Sequence, residues 1–187
     1  MHRLIFILLW LLTPCLLTAQ SYSSVQYNTN DGLASSTVYC MLQDKDGFMW
    51  FGTAAGLCRF DGTHFKTFTT AEGLPDNEIL KIYQDSQGRI WMLPFKNSIC
   101  YYLHGKIYNQ QNDSVLQKIH ISERLFNLFE DNAGTIWTNE LNAVYRIYKN
   151  NTVERLEALG GVKLKTALYF GNDAGNSVWF LSVDKDV

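Results

Sequence analysis

The stretch Asp44-Lys45-Asp46-Gly47-Phe48-Met49-Trp50 decides the reading of this chain, because it returns. It reappears as Asp85-Ser86-Gln87-Gly88-Arg89-Ile90-Trp91 and as Asp131-Asn132-Ala133-Gly134-Thr135-Ile136-Trp137. A looser fourth copy ends in Gly175-Asn176-Ser177-Val178-Trp179. Successive tryptophans stand 41, 46 and 42 residues apart. With few helix signals around it, that period fits a four-stranded antiparallel blade and not a helical repeat.

The first copy can be read strand by strand, since β-branched and aromatic residues alternate with turn residues at short intervals. Val38 to Gln43 suits an inner strand. Asp44 to Gly47 is a turn in which Asp bonds its own following backbone and Gly accepts a positive φ. Phe48 to Thr53 is the second strand, with Trp50 offering a large apolar surface to a neighbouring blade. Gly56 to Phe60, the turn at Asp61-Gly62, and Thr63 to Phe68 complete the meander. A second motif keeps the same register: Asp31-Gly32-Leu33-Ala34-Ser35-Ser36 aligns with Glu72-Gly73-Leu74-Pro75-Asp76-Asn77 at an offset of 41 residues. It carries the chain from one outer strand to the next inner strand.

Later inner strands are expected at Ile79–Gln84, Leu125–Glu130 and Ala167–Gly171. Pro94 has to sit at an edge or bulge. Tyr101 to Lys106 and Asn142 to Tyr148 take the third-strand role, and Ser114 to Ser122 reads as a polar inter-blade loop. The predicted class is all-β: blades of a β-propeller, about three complete and a partial fourth, in a ring that is incomplete. The repeats fall near 31–71, 72–118, 119–160 and 161–187. Eight residues follow Trp179, against eighteen from Trp50 to Phe68, and Val25 to Thr29 could add at best an outermost strand to the fourth blade. The expectation is the N-terminal piece of a longer protein, with a small independent partial propeller as the alternative.

Residues 1–19 read as a signal peptide and 20–187 as the partial propeller. Leu4 to Leu17 is almost wholly apolar, follows Arg3, and leads to Leu17-Thr18-Ala19 before Gln20. An uncleaved anchor is the competing reading, although the run is shorter than the roughly 20 residues that span a bilayer. A lipid anchor at Cys15 is weakened by Pro14, which stands where a small residue is usual. Each reading exports the chain, to the periplasm or the extracytoplasmic side of the envelope.

The whole chain of 187 residues carries a net charge of −2. Without Arg3 it has 15 basic and 18 acidic residues, and no basic stripe, which argues against nucleic acid as a partner. Cys40, Cys58 and Cys100 are odd in number and widely spaced, so they read as small buried apolar residues.

Asp44 and Asp46 before Gly47 invite a calcium reading. The other copies offer only Asp85 with Gln87 and Asp131 with Ala133, and no Glu stands at the bidentate position, so the turn reading is preferred and no metal or other cofactor is expected. No catalytic residue is assigned: His64, His104 and His120 show no convergence with a carboxylate. Arg59, Arg89, Arg124, Arg146 and Arg155 look scattered. The tryptophans, at one repeating position, read as inter-blade core and not as a ligand platform, and Tyr101, Tyr102, Tyr145 and Tyr148 as strand residues.

Asp31-Gly32-Leu33, Gln43 to Thr53 and Gly56 to Gly62 together resemble the two-component regulator propeller repeat. The resemblance is closest in the first blade and reduced to a fragment in the fourth. It implies the extracytoplasmic sensor of a bacterial histidine kinase or hybrid two-component system, often one controlling carbohydrate use. In that family the sensor is similar to two seven-bladed propellers followed by a β-sandwich, a membrane helix and a kinase; this sequence shows no second long apolar segment and no histidine-kinase or receiver motif. The chain is thus expected to be a non-enzymatic segment that binds a small molecule or oligosaccharide once the propeller is complete. Ser35, Ser36, Asp76 and Asn77 on the inter-blade loops are the candidate ligand-binding residues. Expected partners are the remaining blades or another propeller chain, with membrane contact only through the parent protein or an uncleaved signal. A streptogramin-lyase-like propeller enzyme is the runner-up and an interaction module docking through its open edge a third reading. A sialidase-type hydrolase is disfavoured, since the Asp-box hairpin it shares is structural. Secretion of the full chain from a bacterial host, with N-terminal sequencing of the product, is expected to give a chain beginning at Gln20.

Overall fold

Short runs of β-branched and aromatic residues punctuated by Asp-Gly and Asn-rich turns favour up-and-down strands. The computed structural model describes residues 24–165, 167–172 and 177–182. Residues 1–19, read above as a signal peptide, lie outside the described residues. The first sheet joins β1 (Val38–Gln43), β2 (Met49–Thr53), β3 (Gly56–Phe60) and β4 (Phe65–Phe68) in chain order. The second joins β5 (Ile79–Gln84), β6 (Ile90–Pro94), β7 (Cys100–Leu103) and β8 (Lys106–Tyr108). The third joins β9 (Leu128–Glu130), β10 (Ile136–Asn139), β11 (Val144–Ile147) and β12 (Val153–Leu156). Two hairpins come next, β13 (Ala158–Leu159) with β14 (Val162–Lys163), and β15 (Ala167–Asn172) with β16 (Val178–Ser182). All pairings are antiparallel, giving three four-stranded propeller blades and part of a fourth in an open ring.

The repeated Asp explains the turn and the tryptophan at once. Asp44 Oδ1 accepts from the amides of Asp46 (3.0 Å) and Phe48 (2.9 Å), while Oδ2 accepts from Trp50 Nε1 at 2.6 Å. Asp85 makes the same set with Gln87, Arg89 and Trp91, and Asp131 with Ala133, Thr135 and Trp137. Each Trp is the second residue of its strand, and a buried indole N–H without an acceptor would be costly. Its acceptor is the ionised carboxylate that also shapes the turn, a charge-assisted bond. Gly47, Gly88 and Gly134 hold φ of 89°, 81° and 78°, where a Cβ is strained.

The tryptophans fill the gaps between blades. Trp50 packs with Leu57, Phe68, Ile79, Ile82 and Met92, joining the first and second blades. Trp91 packs with Leu93, Leu116, Leu128 and Tyr145, joining the second and third. Trp137, Val144 and Leu164, with Leu159, Val178 and Phe180 against them, continue to the fourth. Gly52 lets the sheets approach: a Cβ there would lie 2.6 Å from the Ile79 carbonyl oxygen of the next blade. A polar latch stands beside each of the first two of these cores. The Lys45 amide donates to Gln84 Oε1 (2.9 Å), and the Ser86 amide to Glu130 Oε2 (2.6 Å).

Four expectations need correction. Val25 to Thr29 is not a strand; Asn28 caps a single 3-10 turn at Thr29–Asp31, and Tyr27 packs on Phe60 and Phe65 of the first blade. The third inner strand begins at Leu128 and not Leu125, whose side chain is buried in the core before the strand starts. Ser114 to Ser122 is less a polar loop than a wedge: a 3-10 turn at Leu116–Lys118 buries Leu116 and Ile119 between two blades. The arginines are not all scattered, since Arg59, Arg89 and Arg146 each lie over the tryptophan of their own blade, at 5.8, 4.8 and 4.3 Å. Pro94 ends its strand opposite a bulge between Ile79 and Lys81, the tolerated position.

Asp85 is fully buried and accepts from Gln87, Trp91 and both the amide and guanidinium of Arg89. Asp85→Ala strands those donors and is expected to cost about 3 kcal/mol, read from urea unfolding monitored by tryptophan fluorescence. Asp85→Asn, keeping one acceptor oxygen, is expected to cost less.

Candidate functional site

The loops that carry the candidate residues are built from one device used twice. Glu72 Oε2 accepts from the Thr69 amide at 2.6 Å, Thr69 Oγ1 accepts from the Ala71 amide at 3.2 Å, and Gly73 turns the chain at a φ of 106°. Asn28, Asp31 and Gly32 repeat this reciprocal cap. Leu33 and Leu74 then drop into the blades and are buried. The Asp-Gly-Leu and Glu-Gly-Leu triplets are therefore caps that lead into anchors.

The residues just beyond each anchor form the candidate surface. Ser35 Oγ accepts from the Thr37 amide at 3.1 Å, and Ser36 is exposed. Asn77 Oδ1 accepts from the Thr70 amide at 2.8 Å, holding its own loop closed. Asp76 Oδ2 accepts from the Lys96 amide at 3.2 Å, tying that loop to the β6–β7 connection. Asp76 and Asn77 thus shape the loop, with part of their hydrogen-bonding capacity already used.

Of the four candidates, Asp76 alone lines a concavity. It borders a shallow depression with Pro75, Phe95 and Lys96, which continues past Thr70 and Asn97 into a cleft of about 310 Å3 walled by Asn109, Gln110 and Gln111. Ser35, Ser36 and Asn77 lie outside this lining, so the four are not gathered into one site. Sequence reasoning missed Phe95, Lys96 and Asn97. The signal was length: five residues connect β6 to β7 where two connect β2 to β3. Phe95 is 52% exposed at the rim, a flat apolar ring beside amide and ammonium groups.

The other chemically suggestive groups are engaged elsewhere. Both carboxylate oxygens of Asp44, Asp85 and Asp131 accept from N–H donors, which is the hairpin role and not ligation of a cation. His64 and His104 occupy the β3–β4 and β7–β8 turns on the opposite end of the blades, and His120 lies in the segment between the second and third blades. Burial pushes the Cys40 thiol up to about 11 and lowers the neighbouring Lys81 ammonium from its ordinary value, so Cys40 is a poor nucleophile at neutral pH. Glu140, fully buried, accepts from the Ser122 hydroxyl and the Glu123 amide, both at 3.0 Å, and pairs with Arg155 at 3.6 Å, pinning the wedge segment. Among the described residues no helix is long and apolar enough to cross a membrane.

Residues 32–55 and 73–94 match the two component regulator propeller family. The two matched stretches hold the turn aspartates and the tryptophans Trp50 and Trp91 of the first two blades. Solved structures agree on the architecture. The extracellular domain assigned to the hybrid two component system BT3049 of B. thetaiotaomicron superposes with a TM-score of 0.69 at 17% identity, over 87% of this chain and 23% of that one. The extracellular domain assigned to the one component system BT4673 of the same organism gives 0.68 at 16%, with the same coverage of 87% and 23%. Virginiamycin B lyase from Staphylococcus aureus gives 0.59 at 19%, over 78% of this chain and 48% of the lyase. At these identities the likeness is one of fold, and the chain spans about a quarter of the sensor domains it resembles. No curated protein matches it.

If Asn77 serves the loop, Asn77→Ala is expected to lower stability by about 1 kcal/mol and to speed hydrogen exchange of the Thr70 amide. Asn77→Asp, which keeps the acceptor, should leave that exchange nearly unchanged.

Proposed function

We propose that this chain is the blade segment of an extracytoplasmic sensor in a two-component signalling protein. It is exported by its N-terminal apolar segment and binds a small polar ligand, an oligosaccharide, without chemical turnover. The observation that carries the reading is the pair of two component regulator propeller repeats at 32–55 and 73–94. The binding surface is the loop face, where Phe95 offers a ring for a sugar face and Asp76, Lys96, Asn97 and Gln111 offer hydrogen-bonding groups along one cleft. Ser35 and Ser36 extend the same face on the first blade. Further blades or another propeller chain complete the sensor, and a kinase in the parent protein or a partner receives the signal.

The lyase reading is less favoured: His104 borders a cavity with Asp44 and Asp46, but both carboxylate oxygens of Asp44 already accept N–H donors of the turn and of Trp50, and His64 and His120 lie in other segments. Isothermal titration calorimetry against a panel of oligosaccharides, on the exported chain and on a form extended by further blades, tests the sensor reading. Phe95→Ala and Lys96→Ala are each expected to weaken the bound oligosaccharide about tenfold, close to 1.4 kcal/mol, with the melting temperature of the unliganded protein unchanged. Equal affinity in both variants would remove the cleft from the site. Release of a ring-opened product from a streptogramin B antibiotic would replace the sensor reading with the enzymatic one.

A further inference from the structure

The turn end of the blades holds a second concavity, at the opposite end from the cleft beside Phe95. It lies between the first and second blades and measures about 380 Å3. The first blade supplies Lys45 and Asp46 from its β1–β2 turn and Arg59 from β3, and the second blade supplies Gln87, Tyr102 and His104. Trp50, which packs these two blades together, also borders the cavity. Every residue that borders it belongs to these two blades, so its shape is set within the chain and needs no further blade.

Arg59 is the unbalanced charge in this wall. Strand register places an arginine opposite the blade tryptophan in the first and third blades, Arg59 against Trp50 and Arg146 against Trp137. On the next strand Arg146 meets Glu154 and pairs with it at 3.4 Å, whereas Arg59 meets Lys66. In the second blade Arg89 is paired with Asp85. Among the described residues no carboxylate pairs with Arg59. The half-buried guanidinium reaches only the Tyr102 hydroxyl, to which Nη1 donates at 3.4 Å, and lies 4.5 Å from the centre of the Phe48 ring. The nearby acids are occupied or turned to solvent. Both oxygens of Asp44 accept N–H donors, Asp85 is held by Arg89 and turn amides, and Asp46 is exposed. Lys45 adds a second cation across the same gap, its Nζ donating to the Asp85 carbonyl at 3.2 Å.

We propose that this inter-blade cavity binds a small organic acid, with its carboxylate on Arg59 and its apolar body against Phe48 and Tyr102. The planar guanidinium fork matches a carboxylate with two parallel N–H···O bonds, and the ligand supplies the anion that Glu154 supplies in the third blade. The rings beside Arg59 favour an acid with an apolar body over an inorganic anion. The volume lies within the range of small-molecule sites, roughly 300–1,000 Å3. Because Arg59 and Phe48 belong to one blade and Tyr102 to the next, the bound acid bridges the blades and stabilises their packing.

Isothermal titration calorimetry of the exported chain with benzoate, phenylacetate and the uncharged analogue benzamide tests the proposal. At least one acid is expected to bind and to raise the melting temperature, with benzamide about tenfold weaker or worse. Arg59→Met keeps the apolar stem and should weaken the acid about tenfold. Lys66→Glu, at an exposed strand position, gives Arg59 the partner that Arg146 has. It should raise the melting temperature of the free protein while weakening the acid about tenfold, a pairing of effects that a merely structural arginine would not produce. Phe95→Ala should leave acid binding unchanged, which separates this cavity from the oligosaccharide cleft. Circular dichroism checks folding, and Lys66→Glu carries the test if Arg59→Met does not fold. Absence of binding by both acids overturns the proposal. So does benzamide binding as tightly as the acids, undiminished acid binding in Lys66→Glu, or its loss in Phe95→Ala.

Discussion

The bond from the indoles of Trp50, Trp91 and Trp137 to the aspartate six residues before each is the constraint on which the rest of the structure depends. One carboxylate oxygen closes the hairpin by collecting two backbone amides. The other satisfies the indole that the hairpin delivers to the blade face. The indole can then be buried with its N–H paired, and its ring becomes the filler between blades. Loss of the aspartate removes a turn, a satisfied donor and an orientation together. An arginine lies against the electron-rich face of the ring in all three blades. It comes from β3 in the first and β11 in the third, but in the second from Arg89, at the end of the turn before β6.

Blade packing is set by that orientation. The gap beside Trp50 and beside Trp91 is filled by the next inner strand, whose apolar residues pack on it, and a side-chain acceptor at the end of that strand takes the amide beyond the turn aspartate. Register between blades is thus fixed at two points, one apolar and one polar. Where the connection lengthens, as between the second and third blades, the added residues are absorbed into the same gap: Leu116 and Ile119 extend the core. Tyr101 donates to Asp113, which in turn accepts from the amides of Val115 and Leu116. Burial and the Asp113 carboxylate both hold the Tyr101 phenol in its neutral form, well above its usual range.

The proposed binding surface is the part this scaffold leaves over. Strand ends and turn aspartates are committed to folding, so the binding we propose is assigned to connections whose length varies between copies. The β6–β7 connection is the clearest case, lifting Phe95 and Lys96 to the rim of a cleft that Thr70 and Asn109 also line. Asn109 also donates to the Gly73 carbonyl at 2.8 Å, which ties this wall to the Gly-Leu loop.

The sequence by itself determined the blade architecture, the inner-strand positions Val38–Gln43 and Ile79–Gln84, and the buried role of Trp50, Trp91 and Trp137, because all of these arise from local periodicity and a turn whose contacts span only a few residues. It also placed the two Gly-Leu loops. The tertiary structure alone decided that Asp76 and Asn77 serve backbone amides, that Phe95 and Lys96 border the cleft, and that Leu116 and Ile119 wedge between blades. Asn77 reaches back only seven residues to Thr70, but Asp76 meets the Lys96 amide 20 residues on and Asn109 the Gly73 carbonyl 36 residues back, and no repeat at the local period encodes which loop will reach its neighbour.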